Sequence, residues 1–354
     1  MPARMRRLLA LAIVIVGLAP GVWWVSAVPP RIEELGLHFE PIALPAPERL
    51  AANLGAFRLD GIWSLESEHH RFGGFSALVA QADGQLVAFS DSGNVLRFTP
   101  PGRNGPPPLF ASAFPEWRSN KPARDIEAAT IDRETGTLWT AQEYTNSIAR
   151  RRFADGAMRI EATRAPPEIR GWGENSGPES MARLADGSFV LLREGFGYFS
   201  DARCRPAVRF ASDPVEEVAG EAFTVVGPRN FSPTEIEPMP DGRVLALYRR
   251  PVWVFPARFA GRLAIGDPRK IRPGGKWQLT EVAKLTSSLP VDNFEGMAIE
   301  QRADGRLTVW LISDDNLAAL QRTLLWQMSV DPADLPGTYE KAPGKPERRS
   351  VTPE

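Results

Sequence analysis

One hairpin unit recurs five times along the chain, and no other property of the sequence restricts the fold as much. Reading from Phe75, FSALVAQADGQLVAFSD is an apolar run, an Asp-Gly turn and a second apolar run. The unit returns as IEAATIDRETGTLWTAQE from Ile126, PESMARLADGSFVLLRE from Pro178, PTEIEPMPDGRVLALYRR from Pro233 and FEGMAIEQRADGRLTVWLISDD from Phe294. Asp-Gly between two such runs is a strong hairpin signal. It stands at Asp83, Asp186, Asp241 and Asp304, and the second copy uses Thr135-Gly136 instead. The residues near each start, Ser76, Glu127, Glu179, Thr234 and Glu295, are spaced 51, 52, 55 and 61 apart. No helical periodicity separates the hairpins, which excludes βαβ units, and five matching turns argue against a β-sandwich. The fold class is all-β, a propeller of four-stranded antiparallel blades. About 327 residues follow Ala27, and the mean spacing near 55 divides them into six. The expectation is a six-bladed β-propeller, its ring closed by pairing an early strand (Phe57 to Glu66) with a late one (Thr323 to Val330).

Composition removes several function classes. With 43% apolar residues in 354 the chain can bury a sizeable core, and its net charge of −1 lacks the basic footprint of a dedicated nucleic-acid binder. A single Cys204 forms no internal disulfide, and no Cys/His cluster provides a structural zinc site. Arg4, Arg6 and Arg7 precede an apolar run from Leu8 to Ala19, then Pro20-Gly21 and the small residues of Val25-Ser26-Ala27. Residues 1–27 therefore read as an export signal. The alternative is a retained anchor, since Leu8 to Val28 is 21 residues with Trp23 and Trp24 near its far end. Both readings place the body in the periplasm or outside the cell, touching membrane only through residues 8–28. Residues 28–330 form the propeller, and residues 331–354 read as a flexible tail, rich in Pro, Lys, Arg and Glu. Pro100 to Pro108 is a surface loop, and the protein is expected to be a monomer.

The hairpin geometry locates a functional face. If the first strand of each copy is innermost and starts at the channel mouth, the Asp-Gly turn lies on the opposite face and the second strand returns to the mouth. Two sets of side chains converge there. The strand starts bring Ser76, Asp125, Glu127, Asn175, Glu179, Thr234, Asn293 and Glu295. The strand ends bring Ser90-Asp91-Ser92, Gln142-Glu143, Arg193-Glu194, Arg249-Arg250 and Ser313-Asp314-Asp315-Asn316. Asp125 and Asn293 also suit plain turn caps. Clustered carboxylates raise one another's pKa and need a cation or an arginine among them. Glu127, Glu179, Glu295 and Ser76 are the candidate catalytic residues, and Asp91, Asp314, Asp315 and Asn316 the candidate metal ligands. Arg193, Arg249 and Arg322 are candidates for holding an anionic ligand through their forked donors. There is no Gly-x-Ser-x-Gly elbow, Walker loop or dinucleotide fingerprint, and the three histidines are His38, His69 and His70. His70 lies six residues before Ser76, but His69-His70 in ESEHHRFGG reads as a polar loop.

RFGGFSAL, LVAFSDSG, DIEAATID, GPESMARL, PTEIEPMPDG, DNFEGMAIE and LISDDN with QRTLL, in this order from Arg71 to Leu325, resemble the family named for the esterase-like activity of phytase. The resemblance implies an exported β-propeller with phosphoric-ester chemistry and bound calcium, at Ser76, Asp91, Glu127, Glu179, Glu295, Asp314, Asp315 and Asn316. Gln142-Glu143 and Arg249-Arg250 depart from the Ser90-Asp91 pattern and leave the ring less acidic. Two functions follow as expectations. One is a metal-dependent hydrolase of phosphoric or other esters, acting on a small phosphorylated or anionic molecule at the channel mouth, with Ca²⁺ as cofactor. The other is a non-catalytic periplasmic propeller that binds a ligand or a protein.

Overall fold

The computed structural model describes residues 36–114, 124–154, 157–174, 176–195, 203–254, 257–318 and 320–337. The leader, Asn175 and residues 338–354 of the tail lie outside the described residues. Two strands, β1 (His38–Pro41) and β2 (Arg58–Glu66), flank the helix α1 (Pro47–Leu54) ahead of the first hairpin. The first blade is β3 (Phe75–Ala80), β4 (Leu86–Ser90), β5 (Asn94–Phe98) and β6 (Leu109–Ser112). The second is β7 (Ile126–Asp132), β8 (Thr137–Gln142), β9 (Ser147–Ala154) and β10 (Ala157–Arg164). The third runs β11 (Pro178–Arg183), β12 (Phe189–Arg193), β13 (Cys204–Phe210) and β14 (Gly220–Val226). The fourth holds β15 (Ser232–Pro238), β16 (Val244–Val254) and β17 (Ala257–Gly266). Its connection lends β18 (Lys276–Gln278) to the edge of β14, in parallel, before β19 (Thr280–Leu285) completes the sheet. The fifth contains β20 (Asn293–Gln301), β21 (Leu307–Asp314) and β22 (Thr323–Val330).

The ring has five blades, which corrects the expectation of six. The strands assigned to a sixth blade complete the fifth: β22 pairs with β21 on one side and with β2 on the other, in the order β1-β2-β22-β21-β20. Closure by an early and a late strand is therefore present, inside the last hairpin's own sheet. The length that suggested another blade lies outside the hairpin units, ahead of β2 and after β22.

The inner strands follow one another around the channel, β3 against β7, β7 against β11, β11 against β15, β15 against β20, and β20 back against β3. Each blade is thus covered on both faces. That is why β3, β4 and β8 are buried at every position and read as continuous rather than alternating apolar runs. Five apolar clusters fill the spaces between neighbouring blades. Trp277, Trp310 and Trp326 are among the largest buried side chains. Their ring N–H groups donate to Asp267 O (2.9 Å), Glu300 Oε2 (2.6 Å) and Pro290 O (3.2 Å), so no indole donor is stranded.

The Asp-Gly hairpins close in one repeated way. Gly84, Gly187, Gly242 and Gly305 all have φ between 81° and 86°, a left-handed conformation glycine adopts without strain. The preceding Asp accepts from the N–H two residues on, at 3.0 Å for Asp83, Asp186 and Asp241 and 3.1 Å for Asp304.

At the other end the five inner strands share an irregularity. Register shifts between Phe75 and Ala77, Ile126 and Ala128, Pro178 and Ser180, Pro233 and Glu235, and Phe294 and Gly296. The residues passed over are Ser76, Glu127, Glu179, Thr234 and Glu295. A bulge re-aims one side chain and bends its strand, and here it does so once per blade at the same level. Deeper in the channel Glu235 accepts from the backbone N–H of Leu78, reaching from the fourth blade to the first. Gly296 allows this close approach, because a Cβ there would lie 2.9 Å from the backbone of Ala77 and Leu78.

Candidate functional site at the channel mouth

Two stacked rings of side chains surround the mouth. The bulged residues Ser76, Glu127, Glu179, Thr234 and Glu295 form the lower one. Opposite Phe75, Ile126, Pro178, Pro233 and Phe294 stand Ser90, Gln142, Arg193, Tyr248 and Ser313. The next residue on each returning strand therefore belongs to an equivalent position, and these are Asp91, Glu143, Glu194, Arg249 and Asp314. In the first three blades a further backbone bond fixes that residue: Asp91 N–H donates to Gly74 O (2.9 Å), Glu143 N–H to Asp125 O (3.0 Å) and Glu194 N–H to Gly177 O (3.2 Å). The two rings hold seven carboxylates and one guanidinium among the described residues, and Asp125 adds a further acid.

The electrostatics follow from this crowding. Burial first, then the charges of Glu295, Asp125, Glu143 and Asp91, raise the Glu127 pKa well above the usual carboxylate range. Glu179 is raised by burial and then by Glu194, Glu127 and Glu143. Asp314 is raised by burial and then by Glu295 and Asp91. Glu143 is pushed up to about 7, chiefly by burial, although the N–H of Gly177 donates to its Oε1 at 3.3 Å. Glu143 also shares a side-chain hydrogen bond with Glu179, which requires a proton on one of the two. Arg249 is the counter-charge. Its Nε lies 3.1 Å from Glu295 Oε1 and a terminal nitrogen 3.6 Å from Glu194 Oε1. Burial disfavours its charge, but Glu295, Glu194, Glu179 and Asp314 outweigh that and raise its pKa.

Oxygens of Asp125, Glu127 and Glu143 lie within 4.8 Å of one another, and so do those of Glu143, Glu179 and Glu194. Two three-carboxylate groups thus share Glu143. Buried acceptors nearby lack partners: Asn293 Oδ1, whose amide Nδ2 donates to Glu295 Oε1 at 2.6 Å, and Ser76 Oγ. An all-oxygen donor set with spare acceptors fits Ca²⁺, Mg²⁺ or Mn²⁺ rather than Zn²⁺.

The structure gathers Ser76, Glu127, Glu179, Glu295, Asp91, Asp314 and Arg249 at one level. It gives the remaining candidates local contacts. Asp315 accepts from Gly74 N–H (2.9 Å), Leu317 N–H (3.0 Å) and Thr323 Oγ1 (3.0 Å), tying the last blade to the first. Asn316 donates its N–H to Asp314 Oδ1 (2.7 Å) and its amide to Gln321 Oε1 (2.6 Å). Arg193 is turned to Trp172 O, Ser176 O (3.0 Å) and Ser176 Oγ (2.9 Å). Arg322 lines a pocket beside the mouth. Glu143 and Glu194, placed on this face from the sequence but not among its candidate ligands, belong to the site, and the signal was available. They stand one residue after Gln142 and Arg193, as Asp91 stands one after Ser90.

The sequence profile described as "Phytase-like: Esterase-like activity of phytase" matches residues 70–317, more than half of the chain. The protein belongs to the phytase-like family. The match spans all five inner strands and every carboxylate of the two rings. No curated protein matches this chain by sequence. Among solved structures it is similar to glutaminyl cyclase from Myxococcus xanthus, at 14% identity over 77% of this chain and 97% of that one, with a TM-score of 0.44. It is also similar to hydrazine synthase from Kuenenia stuttgartiensis, at 11% identity, 70% and 79% coverage and a TM-score of 0.38.

Proposed function

We propose that this member of the phytase-like family is a divalent-cation-dependent hydrolase of phosphoric or other esters, working at the channel mouth. The observation that carries the reading is the pair of three-carboxylate groups sharing Glu143. Asp125, Glu127 and Glu143 would hold one ion and Glu143, Glu179 and Glu194 a second, with calcium the ion best suited to many flexible oxygen ligands. When bound, such ions polarise an ester oxygen and acidify a bound water. Arg249 pairs with Glu295 and Glu194 and opposes the rise that burial imposes on both carboxylates. Residues 1–27 are proposed to direct the chain out of the cytoplasm or to hold it at the membrane.

The test is metal analysis by equilibrium dialysis, with hydrolysis of 4-nitrophenyl phosphate and 4-nitrophenyl acetate measured with Ca²⁺, Mg²⁺ and Mn²⁺. Ion-dependent hydrolysis lost in Glu143→Gln is the expected result. Tight ion binding with no hydrolysis of either ester would favour the second reading, a ligand-binding propeller. Arg249 supports that reading, since it already balances part of the ring's charge. Cell fractionation that finds the full-length chain free in the cytoplasm would refute export.

A further inference from the structure

The hairpin of β16 and β17 is the longest among the described residues, with 11 and 10 residues. Arg249 marks the level of the mouth, so the residues from Arg250 onward, and those before Gly261 on the return, stand above it. Between the outer part of this hairpin and the loop leading into β20 lies a cavity of about 320 Å³. That is the lower end of the range for small-molecule sites. Its lining combines apolar groups (Phe259, Leu289, Val291 and Leu320) with two guanidiniums, Arg258 and Arg322. Leu320 is 61% exposed, an unusual state for a large aliphatic side chain among the described residues.

Neither arginine forms an ion pair among the described residues. The nearest acid on the lining, Asp292, accepts from the backbone N–H groups of Asn293 (3.0 Å) and Arg322 (3.2 Å). Asp292 therefore anchors the Arg322 backbone, and the Arg322 charge also acts on its carboxylate, although no ion pair closes between them among the described residues. The cavity on the opposite face, about 260 Å³, differs on this point. There Arg209 is paired with Asp186 at 2.9 Å and Arg269 with Asp267 at 3.0 Å. The pocket at Arg322 is also joined to the rings: Asp292 adjoins Asn293, which donates to Glu295.

We propose that this pocket is a recognition site for an anionic group, phosphate or carboxylate, carried on a small apolar body. Arg258 and Arg322 would clasp the anion, and Phe259, Leu289, Val291 and Leu320 would cover the apolar part. The assignment rests on the hydrolase reading only in naming its substrates, as esters that carry such a second group. Its binding step stands apart from any metal.

Phenylphosphonate, which carries no scissile ester, is the probe, titrated calorimetrically into the full chain with and without added Ca²⁺. The variants are Arg322→Gln, Arg258→Gln and Glu127→Gln. Arg322→Gln keeps the backbone bond to Asp292, and Arg258 is exposed, so both are expected to fold. Each arginine change should weaken phenylphosphonate about tenfold, as expected for a lost charge-assisted hydrogen bond, and leave Ca²⁺ binding unchanged. Glu127→Gln should leave phenylphosphonate binding intact. Unchanged binding in both arginine variants overturns the proposal. So does binding that needs Ca²⁺ and disappears in Glu127→Gln, which would seat the anion at the mouth. Arginine-dependent binding in a protein that takes up no Ca²⁺ would sustain the pocket while the metal reading fell. Benzoate and inorganic phosphate, titrated alongside, separate the carboxylate and phosphate sources and measure the apolar contribution.

Discussion

The two ends of the same strands treat the same residue type in opposite ways. On the turn face the hairpin aspartates have their own donors. Asp186 accepts from Ser188 and pairs with Arg209, and Asp241 pairs with the buried Arg243. Burial opposes ionisation of Asp132 and Asp186. The N–H and hydroxyl donors beside them, with Arg183 and Arg209, nevertheless hold both below their usual range. At the mouth Arg249 acts on Glu295, Glu194, Glu179 and Asp314 together, and Glu127, Glu179 and Asp314 are raised well above the usual carboxylate range. Acids that stabilise a fold are individually satisfied. Acids crowded beyond what one arginine can balance are costly unless a ligand completes them, and that points to function.

The contrast can be broken first on the turn face. Asp241→Ala leaves Arg243 buried without its charge partner and should cost about 3–5 kcal/mol in chemical denaturation, with Ca²⁺ binding unaffected. At the mouth, a hundredfold excess of Ca²⁺ over its Kd should stabilise the protein by about 2.7 kcal/mol. Glu143→Gln, which removes the shared ligand, should weaken that affinity at least about tenfold, read by calorimetry.

pH sharpens the comparison next. Glu127, Glu143, Glu179, Glu194, Glu295 and Asp314 at the mouth, with Glu235 and Glu237 deeper in the channel, have folded pKa values above their unfolded ones, so the ion-free native state keeps protons that the unfolded chain releases. Its stability should fall as pH rises from about 4.5 through the Glu143 value of about 7, by about 1.4 kcal/mol per pH unit for each proton retained. Asp132 and Asp186, with depressed values, contribute stability that is lost only as pH falls below about 4. Ion-free melting temperatures that rise between pH 5 and 8 would contradict this assignment. The smallest effect is a difference of sign. At pH 8 without cations Glu127→Gln should stabilise by about 1 kcal/mol, whereas Asp186→Asn should destabilise by about 1 kcal/mol.

Much of this was legible in the residues. The five hairpins, the two faces and the meeting of Glu127, Glu179 and Glu295 follow from alternating runs and Asp-Gly turns. Blade number did not follow, because dividing chain length by a spacing counts the residues ahead of β2 and after β22 as if they formed a blade. The bulges were also hidden, since a bulge is a property of pairing register rather than of a residue. Without register, Asp315 looks equivalent to Asp314, yet only the latter faces the ring. Arg193 likewise drew attention that belonged to Glu194. The role of Arg249 required distances, because sequence shows a guanidinium but not which acids it meets.

The pairing of β2 with β22, from Arg58↔Ser329 to Leu65↔Thr323, has a consequence for how the molecule is made. During synthesis β2 emerges long before its partner and must wait, unpaired, for the last blade. Contacts so distant along the chain are entropically late and leave an open edge exposed meanwhile. Glu295 and Asp314, two of the seven ring carboxylates, arrive with that blade, so the mouth is completed in the same closing step that seals the ring. The two three-carboxylate groups draw only on the second and third blades, so a cation bound there would act before the ring closes, and Ca²⁺ should quicken refolding ahead of its final phase.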